Sequence, residues 1–196
     1  MAEMTPLNVV RSELILGGQK SGKSRRAELL ARSWLASAPA HRAVLVATAQ
    51  PHDAEMRTRI ARHQRERAQR VPGLRTVEEP LALAQAIAQH GQPDTLLVVD
   101  CLTLWLTNWL MPAEAGTPSV SAGPSVAGLL HVVGAAPGPV VLVGNEIGLG
   151  VIPLGAQVRA FVDALGNLNQ QCAQQCQRVT LMVAGLPLQL KDKYRE

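Results

Sequence analysis

Residues 13–24 read Glu-Leu-Ile-Leu-Gly-Gly-Gln-Lys-Ser-Gly-Lys-Ser, and this stretch limits the possible folds more than any other in the chain. Its last eight residues, Gly17, Gly18, Gln19, Lys20, Ser21, Gly22, Lys23 and Ser24, match the phosphate-loop pattern G-x-x-x-x-G-K-[ST] at every fixed position. The pattern has meaning only between a strand and a helix, and both are present. Residues 13–16 form a short apolar strand, and residues 24–37 place Ala27, Leu30, Ala31, Trp34 and Leu35 on one helical face. The glycines let backbone N–H groups turn onto phosphate oxygens, and the following helix offers them its positive end. In such a loop Lys23 reaches the β- and γ-phosphates and the Ser24 hydroxyl ligates Mg²⁺. The expected ligand is a nucleoside triphosphate with its metal.

The rest of the chain alternates in the way a phosphate-loop domain requires. Residues 43–47, 95–100, 139–143 and 179–184 are continuous apolar runs, the signature of strands covered on both faces. Between them lie helical patterns. One is capped by Asp53 and turns Met56 and Ile60 inward and its arginines outward. Others span 81–89, 102–110, 126–133 and 155–177, the last with Val158, Val162, Leu165, Leu168 and Cys172 along one face. Pro72-Gly73 breaks the chain, and 112–124, rich in Pro, Gly, Ser and Ala, reads as a flexible loop. With only 3% aromatic residues the core must come from Leu, Val, Ile and Ala. The predicted fold is one P-loop NTPase-like α/β domain over 1–196, with a mostly parallel sheet, helices on both faces, and an N-terminal extension over 1–12.

Charge and cysteine usage exclude some classes. The net charge of +4 suits an anionic substrate without requiring nucleic acid. Cys101, Cys172 and Cys176 are an odd set, expected to be buried free thiols. Residues 1–12 lack the apolar core of a signal peptide, and the most apolar run, 95–111, is interrupted by Asp100 and Asn108, so a cytoplasmic protein with no membrane span is expected.

Two further positions carry chemistry. Asp100 ends the run Leu96-Leu97-Val98-Val99, where a carboxylate can complete a Mg²⁺ site with Ser24, or be an ordinary strand-terminal acid. His63 lies among Arg57, Arg59, Arg62, Arg65, Arg67, Arg70 and Arg75, with Glu66 the one acid between them. It can be a packed helix residue. It can also be a nucleophile, because positive neighbours favour the neutral imidazole and would neutralise a departing pyrophosphate. The arginine run alone also fits a solvated face or a nucleic-acid stripe, although no aromatics are interleaved for base stacking. His41, His52, His90 and His131 read as surface or loop residues. A nucleic-acid-handling ATPase and a non-catalytic nucleotide-binding regulator stay open on these residues. The short chain speaks against the first, and the intact Lys23, Ser24, Asp100 and His63 against the second.

Taken together, the motifs resemble the bifunctional adenosylcobinamide kinase / adenosylcobinamide-phosphate guanylyltransferase family. The matching pieces are Leu16 to Arg25, Ala47-Thr48-Ala49-Gln50, Asp53-Ala54-Glu55-Met56 with Arg59-Ile60 and His63, and Thr76-Val77-Glu78-Glu79-Pro80. Val99-Asp100-Cys101-Leu102-Thr103 with Thr107-Asn108, Asn145-Glu146-Ile147-Gly148-Leu149-Gly150 with Pro153, and Arg159, Phe161, Asp163, Gly166 and Asn169-Gln170 follow in order. The resemblance implies a phosphoryl transfer from ATP or GTP to adenosylcobinamide. It also implies a GMP transfer from GTP through a guanylylated histidine, which His63 would be, to give adenosylcobinamide-GDP. It implies nucleotide contacts from Gly17 to Ser24, from Thr48, Ala49 and Gln50, from Gln64, Arg65, Glu66 and Arg67, and from Glu78 and Asp100. The partners implied are a corrinoid and a nucleoside triphosphate, with no nucleic acid, in a homo-oligomer, a trimer by expectation. The chain departs from the family in extra residues between His63 and Glu78, in Leu74 where a tryptophan is common, in a shorter 111–139 stretch, and in about ten added residues before the first strand.

Overall fold

The computed structural model describes residues 7–51, 54–112 and 125–193 of the 196-residue chain. The elements run β1 (Ser12–Gly17), α1 (Lys23–Ser37), β2 (Arg42–Ala47), α2 (Ala54–Arg70), β3 (Leu74–Glu78), α3 (Leu83–His90) and β4 (Thr95–Asp100). They continue as α4 (Leu102–Leu110), α5 (Val126–Ala135), β5 (Val140–Val143), α6 (Ala156–Gln175), β6 (Arg178–Val183) and β7 (Leu186–Asp192). The strands form one sheet in the order β3-β2-β4-β5-β1-β6-β7, parallel throughout except for the antiparallel pair β6–β7.

The apolar runs produce this sheet because both faces are buried. Along β1, Leu14 and Leu16 join one core layer and Ile15 the other. The same alternation splits Val44 and Val46 from Ala43 and Leu45, and Leu97 and Val99 from Leu96 and Val98. One layer is closed by side chains of α3, α4, α5 and α6, among them Ile87, Trp105, Leu129 and Leu165. The other is closed by Ala27, Leu30 and Ala31 of α1, with Leu7 and Val9 from the N-terminal extension packed against it. All three cysteines are buried and free, as expected. Burial pushes the Cys101 thiol up to about 11, and Cys172 and Cys176 to about 12, so they stay protonated at neutral pH.

Two expectations need correction. Helix α2 turns no apolar face into either core layer: Met56 and Ile60 are only half-buried. Nor do all its arginines point outward. Arg67 is buried, its guanidinium 3.6 Å from the carboxylate of buried Glu28 on α1 and hydrogen-bonded to Thr76 Oγ1 at 3.3 Å. Arg70 adds two hydrogen bonds to the same carboxylate, at 2.8 and 3.2 Å. His41 lies in the loop before β2, as expected, with its ring stacked on Trp34 at 3.7 Å. The proposed Asp53 cap, His52 and most of the 112–124 loop lie outside the described residues.

Strands β3 and β7 were not anticipated. Both are edge strands, and each is covered too little to write a continuous apolar run. The β6–β7 turn has positive φ at both Ala184 and Gly185, as a two-residue hairpin needs.

Candidate functional site

The loops after the parallel strands all leave the same edge of the sheet, where open α/β sheets bind ligands. Strand register lines up their last residues: Ala47 pairs with Glu78 on one side and Asp100 on the other, and Asp100 pairs with Val143. The phosphate loop leaves β1 on this edge. Gly17 cannot be another residue, because its φ is +151° and an added Cβ would lie 2.5 Å from the Met182 carbonyl oxygen and 2.6 Å from Ser21 Oγ. Gly22, at φ +100°, starts α1.

The loop is held from three directions. Glu146 N–H donates to the Gly17 carbonyl at 3.2 Å, Gly185 N–H to the Ser21 carbonyl at 3.0 Å, and Arg26 N–H to the Gly22 carbonyl at 2.9 Å. The unanticipated β6–β7 hairpin therefore supports the phosphate loop. Lys23 Nζ donates across its own loop to the Gly18 carbonyl at 2.6 Å. Burial lowers the lysine below its ordinary value, and Cys101 and Asp100 at the end of β4 offset part of that. Ser21 Oγ is buried with no hydrogen-bond partner among the described residues.

Thr48 is fully buried, and its hydroxyl is committed elsewhere: Oγ1 donates to the Cys101 carbonyl at 2.7 Å and accepts from Cys101 N–H at 2.8 Å. The side chain thus clasps the ends of β2 and β4, while Ala49 and Gln50 lie half-buried beside it. Asn108 joins the loops after β2 and β3, donating from Nδ2 to the carbonyls of Thr48 (2.8 Å) and Pro80 (3.0 Å).

His63 is half-buried near the middle of α2. The four residues after it do not share a surface, because successive helix residues turn by about 100°. Gln64 Nε2 donates to Glu78 Oε1 at 3.2 Å, which unites two expected nucleotide contacts. Arg65 faces solvent. Glu66 sits in an ion-pair ladder with Arg62 and Arg70, and Arg67 faces Glu28.

Several positioning residues were absent from the expected site. Thr103 Oγ1 accepts from Asn145 N–H at 2.9 Å, and the buried Asn169 donates to the Asn145 carbonyl at 3.0 Å and to Glu146 at 3.4 Å. Asn169 had a legible signal: an amide in the Leu165-Leu168-Cys172 stripe of α6 marks where that helix meets polar backbone.

Comparison with known proteins identifies the fold and the family. A solved structure of the flagellar accessory protein FlaH from Methanocaldococcus jannaschii superposes with a TM-score of 0.50 at 10% identity, over 93% of this chain and 78% of that one, a likeness of fold alone. The bifunctional adenosylcobalamin biosynthesis protein CobP of Pseudomonas aeruginosa is 49% identical over 182 residues, covering 92% of this chain and 98% of its own. The bifunctional adenosylcobalamin biosynthesis protein CobU of Escherichia coli is 32% identical over 91% of this chain and 98% of its own. The family described as cobinamide kinase / cobinamide phosphate guanyltransferase matches residues 13–190, and the chain belongs to that family.

Proposed function

We propose that the chain carries out both reactions of its family at this edge of the sheet, with the phosphate loop serving each. In the kinase reaction, Lys23 and the backbone amides of Gly17 to Ser24 hold the β- and γ-phosphates of ATP or GTP while the corrinoid hydroxyl attacks the γ-phosphorus, the β–γ phosphoanhydride bond breaks, ADP or GDP leaves and the hydroxyl proton passes to solvent. In the second reaction the His63 imidazole attacks the α-phosphorus of GTP, the α–β phosphoanhydride bond breaks and pyrophosphate leaves. An oxygen of adenosylcobinamide phosphate then attacks the same phosphorus, the P–N bond breaks, and adenosylcobinamide-GDP forms with His63 restored. Splitting one displacement into two lowers the barrier of each. Thr48 through its backbone, Ala49, Gln50, Gln64, Glu78 and Asp100 complete the proposed nucleotide contacts, while Arg65 faces solvent and Glu66 and Arg67 are engaged in ion pairs within the protein.

The observation that carries this reading is the ion pair between Glu28 and Arg67. Helices α1 and α2 both run back from the edge where the parallel strands end. One turn toward that edge from Glu28 is Ser24, and one turn from Arg67, on the same helix face, is His63. The pair therefore supports a register in which His63 stands level with the metal-binding end of the phosphate loop. The unpartnered Ser21 Oγ supports a phosphate there as well.

The donors also suit Mg²⁺. Ser24 and Asp100 are hard oxygen ligands, and this ion commonly takes one or two protein groups and completes its shell with water and substrate phosphate. When bound, it neutralises charge on the phosphate oxygens. The proposed enzyme works in the cytoplasm, and no described helix is long and apolar enough to cross a membrane. We place it in a homo-oligomer, a trimer as the family resemblance implies, and the exposed Leu186, Leu188 and Leu190 of the outer strand β7 support contact between copies. Sedimentation equilibrium should return three times the 20.9 kDa chain mass, and a monomer at assay concentration would remove that part.

The direct test supplies adenosylcobinamide with ATP or GTP and identifies products by mass. Adenosylcobinamide phosphate should appear with either nucleotide or one of them, and adenosylcobinamide-GDP only when GTP is present. Nucleotide hydrolysis without any corrinoid product would sink the proposal.

A further inference from the structure

Beside the phosphate loop the fold leaves a row of large apolar side chains uncovered. Leu149, Val151, Ile152 and Leu154 are 80, 96, 77 and 97% exposed, with Ile147 and Val158 at the two ends of the row at 39 and 46%. Contiguous apolar surface of this kind marks a place where something binds. The segment is fixed at both ends rather than loose. At its start, Glu146 N–H holds the Gly17 carbonyl and Asn169 holds Asn145. At its finish, Arg159 Nη1 donates to the carbonyls of Pro153, at 3.1 Å, and Leu154.

We propose that this segment is the platform on which the corrin macrocycle of the acceptor rests, an inference that builds on the two-reaction reading above. Position argues for that occupant. The segment begins with a hydrogen bond to Gly17, the first residue of the phosphate loop, so a molecule lying on it has its side arm within reach of a phosphate held there. Chemistry argues for it too. The acceptor in the family's description is a cobinamide, a broad, flat ring with apolar faces and amide groups around its rim. Apolar side chains interspersed with the exposed glycines Gly148 and Gly150 offer surface for the ring and backbone groups for the rim amides. A nucleoside triphosphate held by its phosphates on the loop has only its base to set against apolar surface, far less area than the row offers. A second copy of this chain has a better seat on β7, whose outer position in the sheet offers strand pairing as well as Leu186, Leu188 and Leu190. One platform would serve both reactions, because the hydroxyl arm and its later phosphate ester belong to the same end of the same molecule.

The test uses the full-length enzyme with Leu149→Ser, Ile152→Ser and Leu154→Ser, singly and combined. These side chains touch little of the fold, so the variants should remain folded. Each replacement should raise KM for adenosylcobinamide about tenfold or more. KM for ATP and GTP, and labelling of the protein by GTP carrying a labelled α-phosphate, should stay at wild-type levels. Equilibrium binding of adenosylcobinamide should weaken in parallel. Wild-type corrinoid binding in the combined variant would overturn the platform and leave the two-reaction reading intact. Variants that dissociate into smaller species, and recover corrinoid affinity when concentrated, would reassign the row to contact between copies. If the wild type itself neither binds nor converts adenosylcobinamide, the underlying reading fails and the platform falls with it.

Discussion

His63→Ala should abolish GMP transfer while leaving the kinase reaction within about tenfold of wild type. Wild-type protein incubated with GTP labelled at the α-phosphate and then denatured should retain label that is lost in acid and kept in base, as a phosphoramidate is. The variant should retain none, and its formation of adenosylcobinamide-GDP should fall by roughly 10³-fold or more, as expected when the nucleophile of a covalent mechanism is removed. The substitution is a clean one. Among the described side chains none of α2 enters either core layer, and its attachments through Arg67 and Arg70 on Glu28, Arg67 on Thr76 and Gln64 on Glu78 do not involve His63. The variant should therefore unfold at a denaturant concentration close to wild type. Label persisting in the variant would move the covalent site to another residue, and an unlabelled wild type would remove the covalent step altogether.

The contrast between α1 and α2 shows which kinds of structure a sequence reveals. Helix α1 and strands β1, β2, β4, β5 and β6 were legible because burial on both sides of a sheet forces unbroken apolar runs, and the phosphate loop demands fixed residues at fixed places. Helix α2 obeys a different rule. Seven arginines between 57 and 75 read as a solvated face, yet the decisive contact is the burial of Arg67 against Glu28. Nothing in either local pattern announces that pairing, since Glu28 lies among the apolar positions of α1 and its partner lies 39 residues on. The same limit applies to β3 and β7. Edge strands bury one face or less, so their residues, such as Leu74-Arg75-Thr76-Val77-Glu78, need no apolar run. For the site, the residue types were legible and their grouping only partly so. Thr48 was expected to touch nucleotide, but its hydroxyl is spent on both backbone groups of Cys101. That exchange is visible only once β2 and β4 are known to be neighbours.

Lys23→Met separates the two halves of the functional reading most sharply, because it should damage both reactions and spare the fold. The lysine is buried, its ammonium is satisfied by the Gly18 carbonyl, and burial holds its pKa below the ordinary 10.5. A cation whose folded-state pKa lies below its unfolded value makes folding less favourable at low pH. Stability then rises as pH climbs through the lowered value toward 10.5. Replacing it with methionine removes that penalty, so urea unfolding should show a variant at least as stable as wild type at neutral pH and without this pH dependence. Function should move the other way. The kinase reaction loses a charged donor to the transferring γ-phosphate. GMP transfer loses the same donor to the β- and γ-phosphates, which there depart as pyrophosphate. Each reaction should fall by about 10²–10³-fold. In the wild type, nucleotide affinity should decline with rising pH before 10.5 is reached, because only the protonated amine binds phosphate and the free protein releases that proton early. Steady-state rates of both reactions on the same preparation decide the matter. Equal losses mean that one loop holds both triphosphates. A variant that loses the kinase reaction and still guanylylates His63 at the wild-type rate would require GTP to bind for that step away from Lys23, and the loop would then serve the kinase reaction alone.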